Sequence, residues 1–392
     1  MNKTAFRAGA VCAAFAAVSI SALAAQTAPV RSPQPRTAPT VAPRETTIDL
    51  SKAGLKQATM NGWTAVTPDA ATGDPALVPL RRPWLAARRG GKTWLGAMSA
   101  SAPAIPSSWV QVAPDEEAVS CAPLEQPAAI VTKNALCIEK SAGVSMSVSE
   151  PGETTAGAYN YGISELNVAA PGAASVVTML GRARKEFTSV PVGAGKSDVA
   201  GLYHYTLAAW DGAQGLYLRE RRMVQHIVFG TGALEWITQH DSGWVKQTFA
   251  LFGPLGCASQ KPETICAAGD GVGDELSVFT TTVDYAIETA PAKLAFAATA
   301  PAMIGGGGHR KAGAALVWLD DASVLIAARG AVGNLQTTVY HAKTKSFAPW
   351  RIEGGAVAEG STPACAVESG RAICVARSAL DGKLYARTIA PR

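Results

Sequence analysis

Hydrophobic positions in this chain come in short runs broken by Gly, Asp or Ser. Val224-Gln-His-Ile-Val-Phe229, Leu234-Glu-Trp-Ile-Thr238, Ala372-Ile-Cys-Val-Ala376 and Leu384-Tyr-Ala-Arg-Thr-Ile389 are rich in β-branched and aromatic residues, the composition of half-buried strands. No window of helical length keeps an apolar period of 3.6 residues, so the pattern predicts an all-β chain. A unit of strand, polar Gly-containing turn and strand recurs at Leu85 to Trp94, Leu136 to Ser145, Ile227 to Trp236 and Leu325 to Gln336, with a weaker copy at Ser175 to Thr188.

Two further copies are marked by cysteine. Gly256-Cys257-Ala-Ser259 and Ala364-Cys365-Ala-Val367 are each followed, nine positions after the Cys, by a second Cys in Ile265-Cys266-Ala-Ala268 and Ile373-Cys374-Val-Ala376. Downstream, Gly273-Asp-Glu-Leu-Ser277 falls without a gap on Asp381-Gly-Lys-Leu-Tyr385. With Trp94, Ser145, Thr188, Glu235, Ser277, Gln336 and Tyr385 as equivalent points, the spacings are 51, 43, 47, 42, 59 and 49 residues. Units of about fifty residues with four short strands each are the signature of a β-propeller, and seven of them fill the chain.

The stretch Phe347-Ala-Pro-Trp350-Arg-Ile-Glu-Gly-Gly355, followed by Ser361-Thr-Pro-Ala-Cys-Ala366, Ile373-Cys-Val-Ala-Arg377 and Asp381-Gly-Lys-Leu-Tyr385, resembles the bacterial seven-bladed propeller lectins related to fungal fucose-binding lectins. Ile227-Val-Phe-Gly-Thr-Gly-Ala-Leu-Glu-Trp236 with Asp241-Ser-Gly-Trp244 is similar to the same repeat. The resemblance implies a seven-bladed propeller of four-stranded antiparallel blades. In it a blade opens on the Pro-Ala-Cys strand and ends on the Trp-x-x-x-Gly-Gly strand, so the last blade here stops after its third strand. The missing outer strand is expected from Gly62-Trp-Thr-Ala-Val66, closing the ring by pairing the two ends of the chain, as an unpaired edge favours.

At the amino end, Lys3 and Arg7 precede an apolar run from Ala8 to Ala22 and the small-x-small sequence Ala22-Leu-Ala24, the pattern of a secretory leader over 1–24. Residues 25–46, with Pro29, Pro33, Pro35, Pro39 and Pro43 among polar residues, read as an extended linker, and the propeller is assigned to 47–392. The expected location is periplasmic or extracellular, with no stable membrane insertion. Cys12 belongs to the leader. The remaining six, Cys121, Cys137, Cys257, Cys266, Cys365 and Cys374, make an even set in an exported chain, and the aligned spacing predicts the pairs Cys121–Cys137, Cys257–Cys266 and Cys365–Cys374.

A formal charge of +5 with 17 % charged residues gives no electrostatic footprint for nucleic acid. Catalytic signatures are missing: there is no Gly-x-Ser-x-Gly and no His-Glu-x-x-His, and the histidines are scattered. Gly90-Gly-Lys-Thr-Trp94 resembles the end of a sialidase Asp-box, but Arg89 stands where the Asp belongs, so it reads as a hairpin turn. The Gly305–Gly308 run before His309-Arg-Lys311 lacks a phosphate-loop ending and reads as a loop between strands. Asp270, Asp274 and Glu275 match no calcium loop. Arg219, Arg221 and Arg222 around Glu220 are assigned to an innermost strand, either lining a polar channel or forming a solvated or self-paired run. No metal or cofactor is implied.

One recurrent feature carries chemistry. Arg88, Lys140, Arg329 and Arg377 stand at the end of the second strand of their units, where a guanidinium fork can hold sugar hydroxyls beside an aromatic face. In the resembled lectins an Arg, a Glu-type acceptor and a Trp converge on the sugar between neighbouring blades. Glu235 and Trp236 stand at the third-strand position of their unit, which has Phe229-Gly230 where the Arg is expected. The last unit offers Arg377 and Tyr385 with Trp350 on the preceding strand. The expectation is a secreted, non-catalytic carbohydrate-binding propeller. An envelope protein-protein scaffold is the alternative, and a glycan hydrolase of sialidase-like fold the more distant one.

Overall fold

The computed structural model describes residues 59–79, 82–114, 119–125, 134–139, 145–149, 161–164, 176–193, 196–227, 234–260, 263–269, 275–282, 294–305 and 312–390. Across 112–120, 122–176, 181–200 and 225–236 the description is of backbone alone. The leader, the Pro-rich linker, Lys140, Asp270, Asp274 and the loop from Gly306 to Lys311 lie outside it.

Every named element is a strand. After a short β1 (Thr64–Ala65), the first blade runs β2 (Ala76–Pro79), β3 (Pro83–Arg89), β4 (Lys92–Ala97) and β5 (Val110–Pro114), hydrogen-bonded in that order. Gly90 and Gly91, at φ +58° and +76°, make the two-residue turn between Arg89 and Lys92. A turn with both central residues left-handed matches strand twist and needs glycine, so this segment is the hairpin that its sequence predicts.

The next nine strands form one sheet: β6 (Val119–Glu125), β7 (Asn134–Glu139), β8 (Ser145–Ser149), β9 (Tyr161–Ser164), β10 (Val176–Gly193), β11 (Lys196–Trp210), β12 (Gly215–Ile227), β13 (Leu234–Asp241) and β14 (Val245–Ala250). Its order is β13-β12-β11-β10-β6-β7-β8-β9, with β14 beside β12. Regular blades follow: β15 (Gly256–Gln260), β16 (Glu263–Gly269), β17 (Leu276–Thr282) and β18 (Ala295–Thr299), then β19 (Ala315–Trp318), β20 (Ser323–Arg329), β21 (Leu335–His341), β22 (Ser346–Phe347) and β23 (Arg351–Gly354). The closing blade holds β24 (Ala364–Glu368), β25 (Arg371–Arg377) and β26 (Leu384–Ile389), with β1 on its outer edge.

The propeller therefore has five blades, and the expected seven is corrected. Three predicted units have fused. Leu136 to Ser145 is the β7–β8 hairpin and Ile227 to Trp236 the β12–β13 hairpin. Ser175 to Thr188 is no hairpin: its intended turn, Gly181 to Ala183, is a bulge between the pairs Leu180–Thr206 and Arg184–His204, and β10 runs straight through for 18 residues. A bulge absorbs the extra residues with a local bend and a local break in pairing, and the ladder resumes beyond it. β10 also pairs in parallel with β6, at Ala183 with Leu124 and Arg184 with Glu125, joining both groups of strands.

Six inner strands, β2, β6, β10, β15, β19 and β24, surround one axial cavity of about 350 Å³. Small residues let them approach. A Cβ at Gly256 would run into the carbonyl of Ala314 on the neighbouring inner strand. The core lies between blades: Ile265, Ala267, Val324 and Ile326 between the third and fourth; Leu325, Ala327, Cys374 and Trp63 between the fourth and closing; Leu85, Ala87, Ile373 and Val375 between the closing and first.

The ends meet as the sequence predicts. Thr64 and Ala65 pair antiparallel with Ala386 and Tyr385, and the Val66 N–H donates to Leu384 O at 2.8 Å. Trp63 is 7 % exposed and donates its Nε1–H to Glu353 O, pinning β1 against the fourth blade. Gly355 (φ +84°) is required there, because a Cβ would lie 3.0 Å from the Trp63 ring. Cys257–Cys266 and Cys365–Cys374 are disulfides across directly opposed residues of β15–β16 and β24–β25. Cys121 stands opposite Cys137 in the β6–β7 pairing, with the Cys137 side chain outside the description.

Candidate functional site at the seam between closing and first blades

The recurrent cations keep a common orientation. Along a strand alternate residues share a face. Leu325 and Ala327 pack on the closing blade, so Arg329 continues that face; Ile373 and Val375 pack on the first blade, so Arg377 does the same. On β3 it is Leu85 and Ala87 that look back to the closing blade. Trp84, Ala86 and Arg88 therefore look forward to the composite blade. In Arg88, Arg329 and Arg377 the chain places a cation near the end of the second strand of the first, fourth and closing blades, facing the next blade. At Glu235 and Trp236 only the backbone of β13 is described.

These cations differ in what surrounds them. Arg329 is engaged by its own turn: Nε donates to Val357 O at 3.0 Å and Nη1 to Gly330 O at 3.4 Å. Burial pulls its guanidinium below the ordinary value, with the charge of Glu359 acting the other way. Arg377 has a buried Nε–H with no hydrogen-bond acceptor among the described residues.

The groups expected around Arg377 are elsewhere. Trp350 is 6 % exposed, belongs to the core between the third and fourth blades and donates its Nε1–H to Pro301 O at 2.6 Å. Its ring offers no face to a ligand, which corrects the expected stacking role. Tyr385 packs on the opposite side of the closing blade, with Trp63 and Ala327, and its hydroxyl donates to Asp381 at 2.9 Å. Strand alternation separates the three residues onto different interfaces.

What does face Arg377's side of the seam is Arg89, following Leu85 and Ala87 on β3. Its guanidinium carbon sits 4.4 Å from the Trp109 ring centre and 5.6 Å from that of Trp94, within cation–π range. Nη1 lies 3.7 Å from Asp69, a carboxylate that is 77 % exposed. Burial lowers the Arg89 guanidinium from its ordinary value, and Asp69 partly restores it. The Nε–H of Arg89 and the Nε1–H of Trp109 are also buried without hydrogen-bond acceptors among the described residues. Buried donors are normally paired, so a seam carrying three such N–H groups, two guanidiniums and two indoles is shaped for an acceptor-rich guest. Sequence reading named Arg88 and passed over its neighbour. The available signal was the Arg88-Arg89 pair itself, since adjacent strand residues serve opposite faces.

The Arg219–Arg222 run is not on an inner strand, a second correction: β12 lies two strands out from β10. There Arg219 and Arg221 pair with a carboxylate outside the run, on β13. Asp241 accepts from Arg219 Nε and Nη2 at 2.7 and 2.6 Å, and Arg221 Nε makes an ionic contact at 3.2 Å. Burial alone would raise the Asp241 carboxyl. Hydrogen bonds from Arg219 and the Gly243 N–H, with the charges of Arg219 and Arg221, outweigh that and hold it below the usual carboxylate range.

Among the described residues no helix is long and apolar enough to cross a membrane. No family model matches the sequence, and no curated protein matches it. Solved structures similar to the chain include the Aleuria aurantia lectin in complex with α-methyl-L-fucoside, with TM-score 0.45 and 8 % identity over 82 % of this chain and 96 % of that one. AofleA from Arthrobotrys oligospora has TM-score 0.45 and 13 % identity over 84 % and 85 %. Trypanosoma rangeli sialidase in complex with the inhibitor DANA has TM-score 0.39 and 8 % identity over 85 % and 59 %.

Proposed function

We propose that this protein is a secreted, non-catalytic carbohydrate-binding propeller whose sugar site is the seam between the closing and first blades. The observation that carries the reading is a set of donors there without hydrogen-bond acceptors among the described residues: Arg377 Nε, Arg89 Nε and Trp109 Nε1. A sugar's hydroxyl or carboxylate oxygens would accept from the two guanidiniums, and the indoles would cover its apolar C–H surface. A leader-like amino end and disulfides suit an exported protein. The buried carboxylate Glu353 and the partly buried Asp241 are taken up by Thr337 and by Arg219 and Arg221, which leaves neither as a free acid or base.

A glycan array probed with the chain from residue 25 tests the proposal, followed by calorimetry on the best glycan. Arg377→Ala should weaken binding roughly tenfold or more, the usual cost of a charged hydrogen bond. Folded protein that binds no glycan, or unchanged affinity in Arg377→Ala, would overturn it.

A further inference from the structure

A second site lies in the composite blade, where the outer partner of β12 changes. Residues 221–227 of β12 pair with β13, whereas Gly215, Tyr217 and Leu218 pair with β14. The chain crosses between the two partners at Ser242 to Trp244. Glu220 sits at this joint, its N–H donating to Ser242 Oγ at 2.9 Å and its carbonyl accepting from the Ser242 N–H at 3.1 Å. The backbone is thereby satisfied while the ladder is interrupted, and a cavity of about 250 Å³ opens beside it, lined by Thr206, Glu220, Ser242, Lys246, Phe249 and Leu294 among others.

Two of those side chains carry the chemistry of the cavity. Thr206, directly opposite Glu220 in the β11–β12 register, is 1 % exposed, and its hydroxyl has no hydrogen-bond partner among the described residues. A hydroxyl this deep costs stability unless something completes it. The half-buried Glu220 is the one carboxyl lining the cavity among the described residues. Lys246, at the exposed rim, is directed elsewhere: its Nζ lies 6.0 Å from the Tyr217 ring, and its charge acts on Asp211. Phe249 and Leu294 supply an apolar wall. The cavity thus combines a carboxylate that wants a cation, a buried hydroxyl that wants a polar neighbour and a nonpolar side.

We propose that this cavity binds a small hydroxylated primary amine, of the amino-sugar or amino-alcohol class, with Glu220 as counter-ion to its ammonium and Thr206 hydrogen-bonded to one of its hydroxyls. The volume suits a guest of that size, since it equals roughly eight waters at about 30 Å³ each. The site is separate from the seam and does not depend on the reading of the seam. Binding is coupled to a proton. Burial raises the Glu220 carboxyl above its ordinary value, opposed by His240 on β13. The other charged or titratable groups around it are Arg222 on its own strand, His204 opposite Arg222 on β11, and Lys246 on β14. An ammonium guest requires the carboxylate, so affinity should strengthen as pH rises through the raised value, with a proton released on binding at the acid end.

The test uses D-glucosamine as probe, with D-glucose and N-acetyl-D-glucosamine as charge-free controls, by calorimetry on the full chain at mildly acidic to neutral pH. Glucosamine should bind at least about tenfold more tightly than either control, as a charged hydrogen bond warrants. Glu220→Gln should lose that preference and its pH dependence, and Thr206→Val, which keeps the shape, should weaken binding by roughly three- to tenfold. The three sugars are compared in an Arg377→Ala background as well as in the unaltered chain, so that any binding at the seam is subtracted. Equal binding of the three sugars, unchanged affinity in Glu220→Gln, or no saturable binding by folded protein would overturn the proposal, the last outcome meaning that the cavity holds water only.

Discussion

The closing blade and the composite blade start from the same kind of sequence unit and end in different structures. In the closing blade the second strand has seven residues, like those of the first, third and fourth blades. A disulfide fastens it to the inner strand, and the segment after it returns through Gly382 at φ +72°. In the composite blade, β10, β11 and β12 run for 18, 15 and 13 residues. β10 takes a bulge rather than a turn at Gly181, so the strand continues and three units share a ladder. The repeat is thus imposed by turn chemistry more than by the hydrophobic alternation, which is similar in both regions.

Removing what closes the ring should give the largest effect. Trp63→Ala should cost about 3–5 kcal/mol, the range for deleting a buried aromatic, and deletion of 59–67 should lower the melting temperature further still. Deletion of 26–44 should change it little. Equal melting temperatures for the two truncations would mean that β1 contributes nothing to closure. The disulfides come next. Replacing Cys365 and Cys374 with alanine, or Cys257 and Cys266, should each destabilise by roughly 2–3 kcal/mol. Peptide mapping of unreduced protein should also find Cys121 linked to Cys137, the pairing that β6–β7 register favours.

In the regular half the sequence was close to transparent. Cys spacing, Gly turns and the truncated last unit led to the blades, their disulfides and the pairing of Gly62–Val66 with the chain's end. The blade count failed because Gly181-Arg-Ala183 reads as a turn, and nothing local distinguishes a turn from a bulge when the partner strand lies 20 or more residues away. The candidate site was half legible. Arg377 could be seen in the repeat, but which face of its blade Tyr385 and Trp350 serve depends on register, and a shift of one residue exchanges the faces. Arg89 and Trp109 belong to the first blade, and only ring closure sets that blade against the face of Arg377.

The composite blade should show its own weakness in acid. Asp241 joins Arg219 and Arg221 where β12 changes partners, and its lowered carboxyl value means that the folded state favours the ionised form. That contribution is complete above the unfolded carboxylate range and is lost as pH falls through the lower folded value. Asp241→Asn should cost about 2 kcal/mol at neutral pH, within the range for charged hydrogen bonds and partly buried pairs, and should flatten the acid limb of a denaturation-against-pH curve. An unaltered acid limb in the variant would assign the acid sensitivity to another carboxylate.

The smallest effect should come from Tyr385, and it separates the two accounts of the closing blade most cleanly. Its hydroxyl donates to Asp381, which also accepts the Lys383 N–H at 3.1 Å. Burial would raise that carboxyl, but the bonds from Tyr385, Lys383 and Ser378 bring it below its usual range, while the Tyr385 phenol is raised chiefly by its bond to Asp381. The pair is largely exposed, so the bond contributes little: Tyr385→Phe should cost no more than about 0.5 kcal/mol, near the bottom of the range for a single hydrogen bond. Because Tyr385 faces the fourth blade and Arg377 the first, Tyr385→Phe should also leave the affinity for an array-identified glycan unchanged while Arg377→Ala weakens it. A comparable loss in both variants would move the sugar from the seam to the turn at Asp381, where a ligand could reach both side chains around the end of the blade.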